Sequence, residues 1–349
     1  KRGGMDDQRD LERMLGNLRQ FQSESDASKE SEKSPSNAGT SFDADEFLAG
    51  LDAMFASHTA KDKADEYLQQ AMADAENAQD YAGLLTVLNE TMGFYRSQGR
   101  HQENQWIIQR AIELALRMGL EGTEAWTTTL INAATSQRAA GNLDQAEDLF
   151  EQALDAARRT YGPDDRRLAA LHNNRSILFS QTHRRRQAID ELHESLRILE
   201  HSSVDAQSDV DIASTCTNLA LAMLDGEDQP TDAELEEAQS LARRTLDIYQ
   251  HAGSDSSAHY ASALAGAAHV SFASEDYAEA VRQYQRALDV IARCYGEHTD
   301  YYRVTAQNLQ EAQRKLELTQ STDNPHDSVD DSPAQSTVHT DIHLSLIHI

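Results

Sequence analysis

The sequence has few of the residues that build disulfide frameworks, membrane spans or nucleic-acid-binding surfaces. Its 349 residues include two cysteines and five prolines, and 31 lysines and arginines stand against 59 aspartates and glutamates. Two cysteines do not make a disulfide framework, and no apolar run approaches the ~20 residues of a membrane helix. A net charge of -28 disfavours nucleic acid and anionic membranes, since binding to them needs an excess of positive charge. We therefore expect a cytoplasmic protein with neither kind of partner.

Motifs for catalysis, metal binding and phosphate binding are also missing. The fourteen histidines are scattered, with no His-Glu-x-x-His, no Cys-x-x-Cys and no glycine-rich phosphate loop. His339 and His343 stand four residues apart, but in a stretch without an apolar pattern. The many carboxylates fall on the expected outer faces of helices, where solvent accounts for them. The sequence thus predicts a non-enzymatic protein with no cofactor and no metal.

The two ends do not carry the pattern of a folded core. Residues 1–41 are interpreted as an N-terminal arm and linker, in which 6–22 form an amphipathic helix that is either frayed or docks onto a partner or onto this chain. Residues 319–349 read as a disordered acidic tail. We interpret Met5 as the start, and 344–349 as the translation of a sequencing adapter, so that the native C-terminus is expected to be missing.

Between these ends, an apolar pattern of helical spacing repeats. Its clearest copy is Trp126–Ala157, which reads as two amphipathic helices joined by a turn at Gly141-Asn142. Each second helix begins with a position that is small in most copies, followed four and seven residues later by positions that are mostly apolar and small. The first position recurs at intervals of 40, 42, 42, 50 and 42 residues, at Ala64, Asn104, Ala146, Ala188, Ala238 and Ala280. A period of this length indicates a stacked array of helix pairs.

The pattern predicts helices and little else. They fall at 44–57, 61–78, 81–98, 102–118, 124–140, 144–160, 166–181, 185–200, 208–225, 232–251, 257–273, 277–294 and 299–318. The last is half polar, as suits a cap over the final apolar face. The fold class is therefore an all-α, right-handed superhelical solenoid of about six helix-turn-helix repeats plus a C-terminal capping helix, within residues 42–318.

The repeats resemble a known family. The similarity is carried by Gly141–Glu147, Tyr161–Asp164, Leu171–Asn174 and Asp276–Ala280. Over roughly 42–318 the chain is similar to tetratricopeptide repeats, and most similar to the ~42-residue kind of kinesin light chains. The resemblance implies that the first helix of each pair lines a concave groove, which in this family usually holds an extended peptide.

Alignment to the family places seven polar residues at or beside this groove. Asparagine amides both donate and accept, so they suit a peptide backbone, and an arginine pair one period apart can grip a carboxylate. The alternative is that the asparagines bond neighbouring helices and the arginines are solvated. The candidate residues are Asn89, Arg96, Asn132, Arg138, Asn173, Asn174 and Asn218.

Two functions follow from these expectations. The first is a protein–protein interaction scaffold whose groove binds a peptide or protein segment, with an acidic group as one option. The second is a regulatory sensor that gates an effector domain beyond the C-terminus. The sequence leaves the oligomeric state open.

The arginine run Arg184–Arg186 is interpreted either as a solvated turn or as a partner patch. Positive charge at a helix N-terminus is unfavourable, which is the reason for considering a partner patch.

Overall fold

A computed structural model describes residues 41–56, 60–226 and 228–322, and every regular element in these residues is an α-helix. The predicted helix at 6–22 and the tail beyond 322 lie outside the described residues. The predicted helices are confirmed to within a few residues at their ends, and the last continues to Thr322. In chain order they are α1 (Ala44–Ala56), α2 (Ala60–Asn77), α3 (Tyr81–Ser97), α4 (His101–Arg117), α5 (Glu124–Ala139), α6 (Leu143–Tyr161), α7 (Arg166–Gln181), α8 (Arg185–Ser202), α9 (Val210–Leu224), α10 (Asp232–His251), α11 (Ala258–Ala273), α12 (Tyr277–Tyr295) and α13 (Asp300–Thr322).

The helices form two compact units that divide at Leu171, within α7. In unit 1, α1/α2, α3/α4 and α5/α6 are antiparallel pairs, and α3 also packs against α1 and α5. In unit 2, α9/α10 and α11/α12 are pairs, α9 also packs against α11, and α13 covers α12. First helices thus lie beside first helices in each unit. The predicted all-α architecture of repeated helix pairs is confirmed.

The repeat position that lies within the first two turns of each second helix is buried in every copy. All six residues there are at most 1% exposed, because the two helices of a pair approach closely at this point. Asn104 departs from the small residues of the other copies, and it fits by donating from Nδ2 to the carbonyl oxygen of Met92 on α3 at 2.9 Å. The alignment that predicted the repeats therefore rests on a real packing contact.

Four of the turns that join the two helices of a pair, those after α3, α5, α7 and α11, share one backbone conformation. The amide of the residue after the turn donates to a carbonyl five residues earlier, as Asn142 does to Gln137 at 2.9 Å, which closes a Schellman motif. The turn residue must then have positive φ, a region that glycine enters most easily. This residue is Gly99 (67°), Gly141 (81°), His183 (58°) or Glu275 (62°).

Arg185 explains part of the arginine run that the sequence left open. Its Nε donates to the carbonyl oxygen of Ala222 at 3.0 Å, and its Nη2 donates to that of Met223. These carbonyls end α9, where the helix dipole favours a cation. Nη2 also pairs with Glu234 at 3.2 Å, and Glu234 closes the capping box with Thr231 that begins α10. Arg185 thus connects the end of α9 to the start of α10.

Close approach of α9 and α11 depends on a glycine. A Cβ added to Gly266 would lie 2.9 Å from Cγ2 of Thr217, which is closer than two carbon atoms pack. The Thr217 hydroxyl bonds the carbonyl of Ala213 at 3.2 Å, so this side chain is not free to turn away. Nearby Cys216 is fully buried, and burial raises the pKa of its thiol to about 12.

We expect Gly266→Ala to lower the free energy of unfolding by about 1 kcal/mol, because overpacking exceeds the gain in helix propensity. Thr217→Ser/Gly266→Ala should recover at least half of this loss, since serine keeps the hydroxyl and lacks Cγ2. Urea unfolding of both variants, with Thr217→Ser alone as the control, measures the difference. A Gly266→Ala protein more stable than the wild type would contradict this contact.

Candidate functional site

Two of the predicted groove residues of unit 1 bond each other across adjacent first helices. Asn132 on α5 donates from Nδ2 to Oδ1 of Asn89 on α3 at 3.1 Å. Asn89 in turn donates to the carbonyl of Leu85 at 3.2 Å and to Oγ1 of Thr129 at 3.1 Å. The two asparagines are only 8% and 3% exposed, so their amides face the neighbouring helix.

The same arrangement recurs in unit 2. Asn218 on α9 donates from Nδ2 to Oδ1 of Asn173 on α7 at 3.0 Å, and both are at most 1% exposed. Asn132, Asn174 and Asn218 are predicted to share one repeat position, and of these Asn132 and Asn218 have the same role. At that position α11 carries Gly266, which packs against Thr217 instead.

These contacts match the alternative in which the asparagines bond neighbouring helices. The side chains of Asn132, Asn173 and Asn218 are buried. Their hydrogen bonds connect neighbouring helices, whereas the sequence predicted contact with a ligand. Asn174 differs, because it is half-buried. Periodicity placed these residues on the correct helices without indicating which of them faces the neighbour.

The two arginines of the predicted pair are half-buried on α3 and α5. Arg96 reaches across to α5, where its Nη1 donates to Oγ of Ser136 at 2.8 Å and to the carbonyl oxygen of Asn132 at 3.4 Å. Arg138 follows Ser136 by two residues on the same helix. The structure thus brings the Arg96 guanidinium to the turn of α5 that carries Arg138.

His269 is a histidine of α11 in unit 2 whose pKa is clearly shifted. It lies half-buried on α11, and burial lowers the pKa of its imidazole to about 4, because a buried imidazolium loses hydration. At neutral pH it therefore adds no positive charge to the first-helix face.

A cavity of about 510 Å³ lies between α1 and α2 in unit 1. Aromatic rings form one part of its wall: the ring centroids of Phe42 and Phe47 are 6.0 Å apart, and Phe47 stacks on Tyr67 at 5.5 Å with 10° between the planes. Carboxylates form another part. The lining residues are Ser41, Phe42, Asp43, Glu46, Phe47, Tyr67, Gln70, Ala71, Asp74 and Asn77.

Internal hydrogen bonds hold this cavity in shape. The Tyr67 hydroxyl donates to the carbonyl oxygen of Phe47 at 2.8 Å. Oδ1 of Asp43 accepts the amide of Asp45 at 3.0 Å and that of Glu46 at 3.2 Å, which caps α1. Burial, and then the charge of Glu46, raise the pKa of Tyr67, so its phenol stays neutral.

Sequence reasoning missed this cavity. Its signal is the run Phe42–Phe47, in which two phenylalanines enclose three carboxylates at the start of the first repeat. The run has no counterpart at the same place in other copies, so an alignment of repeats passes over it.

The described residues show neither a metal cluster nor a membrane span. Nowhere in 41–56, 60–226 and 228–322 do three His, Cys, Asp or Glu side chains gather closely enough to hold an ion. Within the same residues, no helix combines the length and the apolar character needed to cross a bilayer.

Comparison with known proteins gives one family and several structures. Residues 125–201 match the tetratricopeptide repeat family. The chain is similar to the crystal structure of BtubC (BKLC) from P. vanneervenii, with 17% identity over 84% of this chain and 99% of that one, and a TM-score of 0.55. It is also similar to a putative kinesin light chain with TPR-like repeats from Podosopora anserina, with 14% identity over 60% of this chain and 96% of that one, and a TM-score of 0.51. No curated protein sequence matches the chain.

These likenesses fit the geometry of both units. Tetratricopeptide repeats generally mediate contacts between proteins, and identities of this size speak for fold alone. The predicted resemblance is confirmed: residues 125–201 match the tetratricopeptide repeat family, and the chain has the helical-repeat fold of the kinesin-light-chain-like structures.

Proposed function

We propose that the chain is a non-enzymatic interaction scaffold whose first-helix faces bind an extended segment of a partner protein. The observation that carries this proposal is the packing of α3 on α5, with Arg96 held against the turn that bears Arg138. Family membership and the structural neighbours support the coarser part, a repeat protein for protein–protein contact. Cytoplasmic location and the absence of catalysis belong to the proposal.

An acidic group of the partner is the ligand that these arginines suit best. A guanidinium carries five N–H groups in a planar fork, so an arginine positioned by internal acceptors can still donate to a carboxylate. Ser136 and the Asn132 carbonyl fix Arg96 before any ligand arrives, and less side-chain entropy is then lost on binding. Asn174, half-buried on α7, is the asparagine that we retain as a contact, in unit 2.

The asparagine pairs have a different role in this proposal, which is to set the spacing of the first helices. An amide buried between helices costs free energy when its partner is removed. In this proposal the pairs therefore fix the positions of the first helices that form the binding face, and they do not contact the ligand.

Replacing Arg138 should separate binding from folding. We expect Arg138→Ala to weaken binding of a labelled Gly-Ser-Glu-Glu-Gly-Ser-Glu-Glu peptide about tenfold, because a charge-assisted hydrogen bond contributes about 1.5–3 kcal/mol. The affinity of the Arg138→Lys protein should fall between those of the wild type and the Arg138→Ala protein, since an ammonium keeps the charge but lacks the planar fork. Fluorescence anisotropy on the full chain measures both, with the glutamine version of the peptide as the uncharged probe.

The matched control is Arg117→Ala, which removes the same charge from an exposed position of α4. It should leave the affinity within about twofold, because isolated surface charges contribute little. Equal affinities of the Arg138→Ala and Arg117→Ala proteins would contradict the arginine site.

Replacing Asn132 should affect stability first. We expect Asn132→Ala to lower the free energy of unfolding by about 1–3 kcal/mol, since Oδ1 of Asn89 loses its donor inside the unit. Asn174→Ala, at the half-buried position, should change it by less than about 0.5 kcal/mol. Chemical unfolding followed by circular dichroism compares the two. An Asn132→Ala protein of unchanged stability that binds the acidic peptide more weakly would instead support direct contact by Asn132.

A further inference from the structure

Unit 1 holds several of its arginines in one kind of environment, an aromatic ring on one side and a carboxylate on the other. The guanidinium carbon of Arg100 lies 4.1 Å from the ring centroid of Tyr95, and its Nη1 lies 3.1 Å from Asp65. Arg110 lies 5.1 Å from the Trp106 ring and pairs with Glu76 at 2.8 Å. Ring and carboxylate together suit a guanidinium, which stacks on its flat face and donates from its edge.

A third example shows how tight this environment becomes. The guanidinium carbon of Arg167 lies 3.4 Å from the centroid of Tyr161, and its Nε and Nη2 donate to Asp165 at 2.8 and 2.9 Å. The same combination therefore recurs at three places in one unit, each time filled by an arginine of the chain itself.

The cavity between α1 and α2 offers this combination without an arginine. Its wall presents the rings of Phe42 and Tyr67 beside the carboxylates of Asp43, Glu46 and Asp74, and none of its ten lining residues is basic. We propose that this cavity binds an arginine side chain of a partner protein.

Charge and hydration favour this occupant over others. An anion would meet three carboxylates, and an apolar side chain would remove water from them without replacing its hydrogen bonds. A lysine ammonium is a strongly hydrated point charge, whereas a guanidinium sheds water more easily and stacks on rings. Asp43 is held by the amides that it caps, so part of the cavity is already in place for a ligand.

This inference goes beyond the proposed function, because it concerns different residues and the opposite charge. The acidic-peptide site uses Arg96 and Arg138 on α3 and α5, whereas the cavity uses α1 and α2. Either site can fail in experiment while the other stands.

The test uses the full chain and a labelled, end-blocked Gly-Arg-Gly-Arg-Gly peptide at 0.15 M salt. We expect Glu46→Gln/Asp74→Asn to weaken its binding about three- to tenfold, as the loss of two exposed charge contacts beside an aromatic surface implies. Glu46→Gln alone should give a smaller loss in the same direction. Circular dichroism checks that both variants keep the helical content of the wild type.

The control variant is Asp148→Asn/Glu151→Gln, which removes the same charge from exposed positions of α6. It should leave the affinity within about twofold, which separates the cavity from general attraction to an acidic chain. Equal losses in the cavity and control variants would overturn the proposal.

The choice of arginine is tested with matched peptides. Gly-Gln-Gly-Gln-Gly should not bind measurably, and Gly-Lys-Gly-Lys-Gly should bind at least about threefold more weakly than the arginine peptide. Equal or tighter binding of the lysine peptide would overturn the assignment to arginine.

Discussion

Contact between successive first helices is the constraint on which the rest of each unit depends. In unit 2, α9 is buried without interruption from Ile212 to Met223, and in unit 1, α3 is buried nearly as completely from Gly83 to Tyr95. A helix enclosed in this way needs partners for most of its polar side chains, because a buried amide without a partner is costly. Asn132 supplies such a partner to Oδ1 of Asn89 in unit 1, and Asn218 supplies one to Oδ1 of Asn173 in unit 2, where Nδ2 of Asn173 stays without a bond among the described residues.

Where a pair is not formed, the helices approach on small residues instead. Thr217 against Gly266 is the example: a Cβ added at Gly266 would lie 2.9 Å from Cγ2 of Thr217, so there is no space for a methyl group. The asparagine pairs and the Thr217–Gly266 contact occupy the same repeat positions. Neighbouring first helices therefore pack through a hydrogen bond in some copies and through a small residue in another. Enclosure also limits function, since only the half-exposed residues of a first helix remain for a ligand.

The sequence predicted the features that depend on local backbone or on period. The six positions from Ala64 to Ala280, near the starts of second helices, were placed correctly, because the position recurs with the repeat period and is small in most copies. The turn position was also found, although His183 and Glu275 replace glycine there, since spacing identifies the turn where residue type does not.

The direction of the asparagine side chains could not be predicted in the same way. One residue turns a helix by about 100°, so adjacent positions such as Asn173 and Asn174 face different surroundings. A repeat alignment that is correct to the residue still does not say which side of a first helix meets its neighbour. The cavity was not predicted for another reason: Phe42 before α1, Phe47 on α1 and Tyr67 on α2 form one wall only after the two helices pack.

The net charge of the chain affects ligand binding at the two proposed sites in opposite directions. A chain with a net charge of -28 attracts basic segments and repels acidic ones over about a Debye length, roughly 8 Å at physiological salt. An acidic ligand therefore gains its attraction only at contact with Arg96 and Arg138, which is why a guanidinium fixed in advance by Ser136 matters. A basic ligand is drawn towards the cavity before it touches the rings. The general field and the local contact thus act together at the cavity and against each other at the arginine pair.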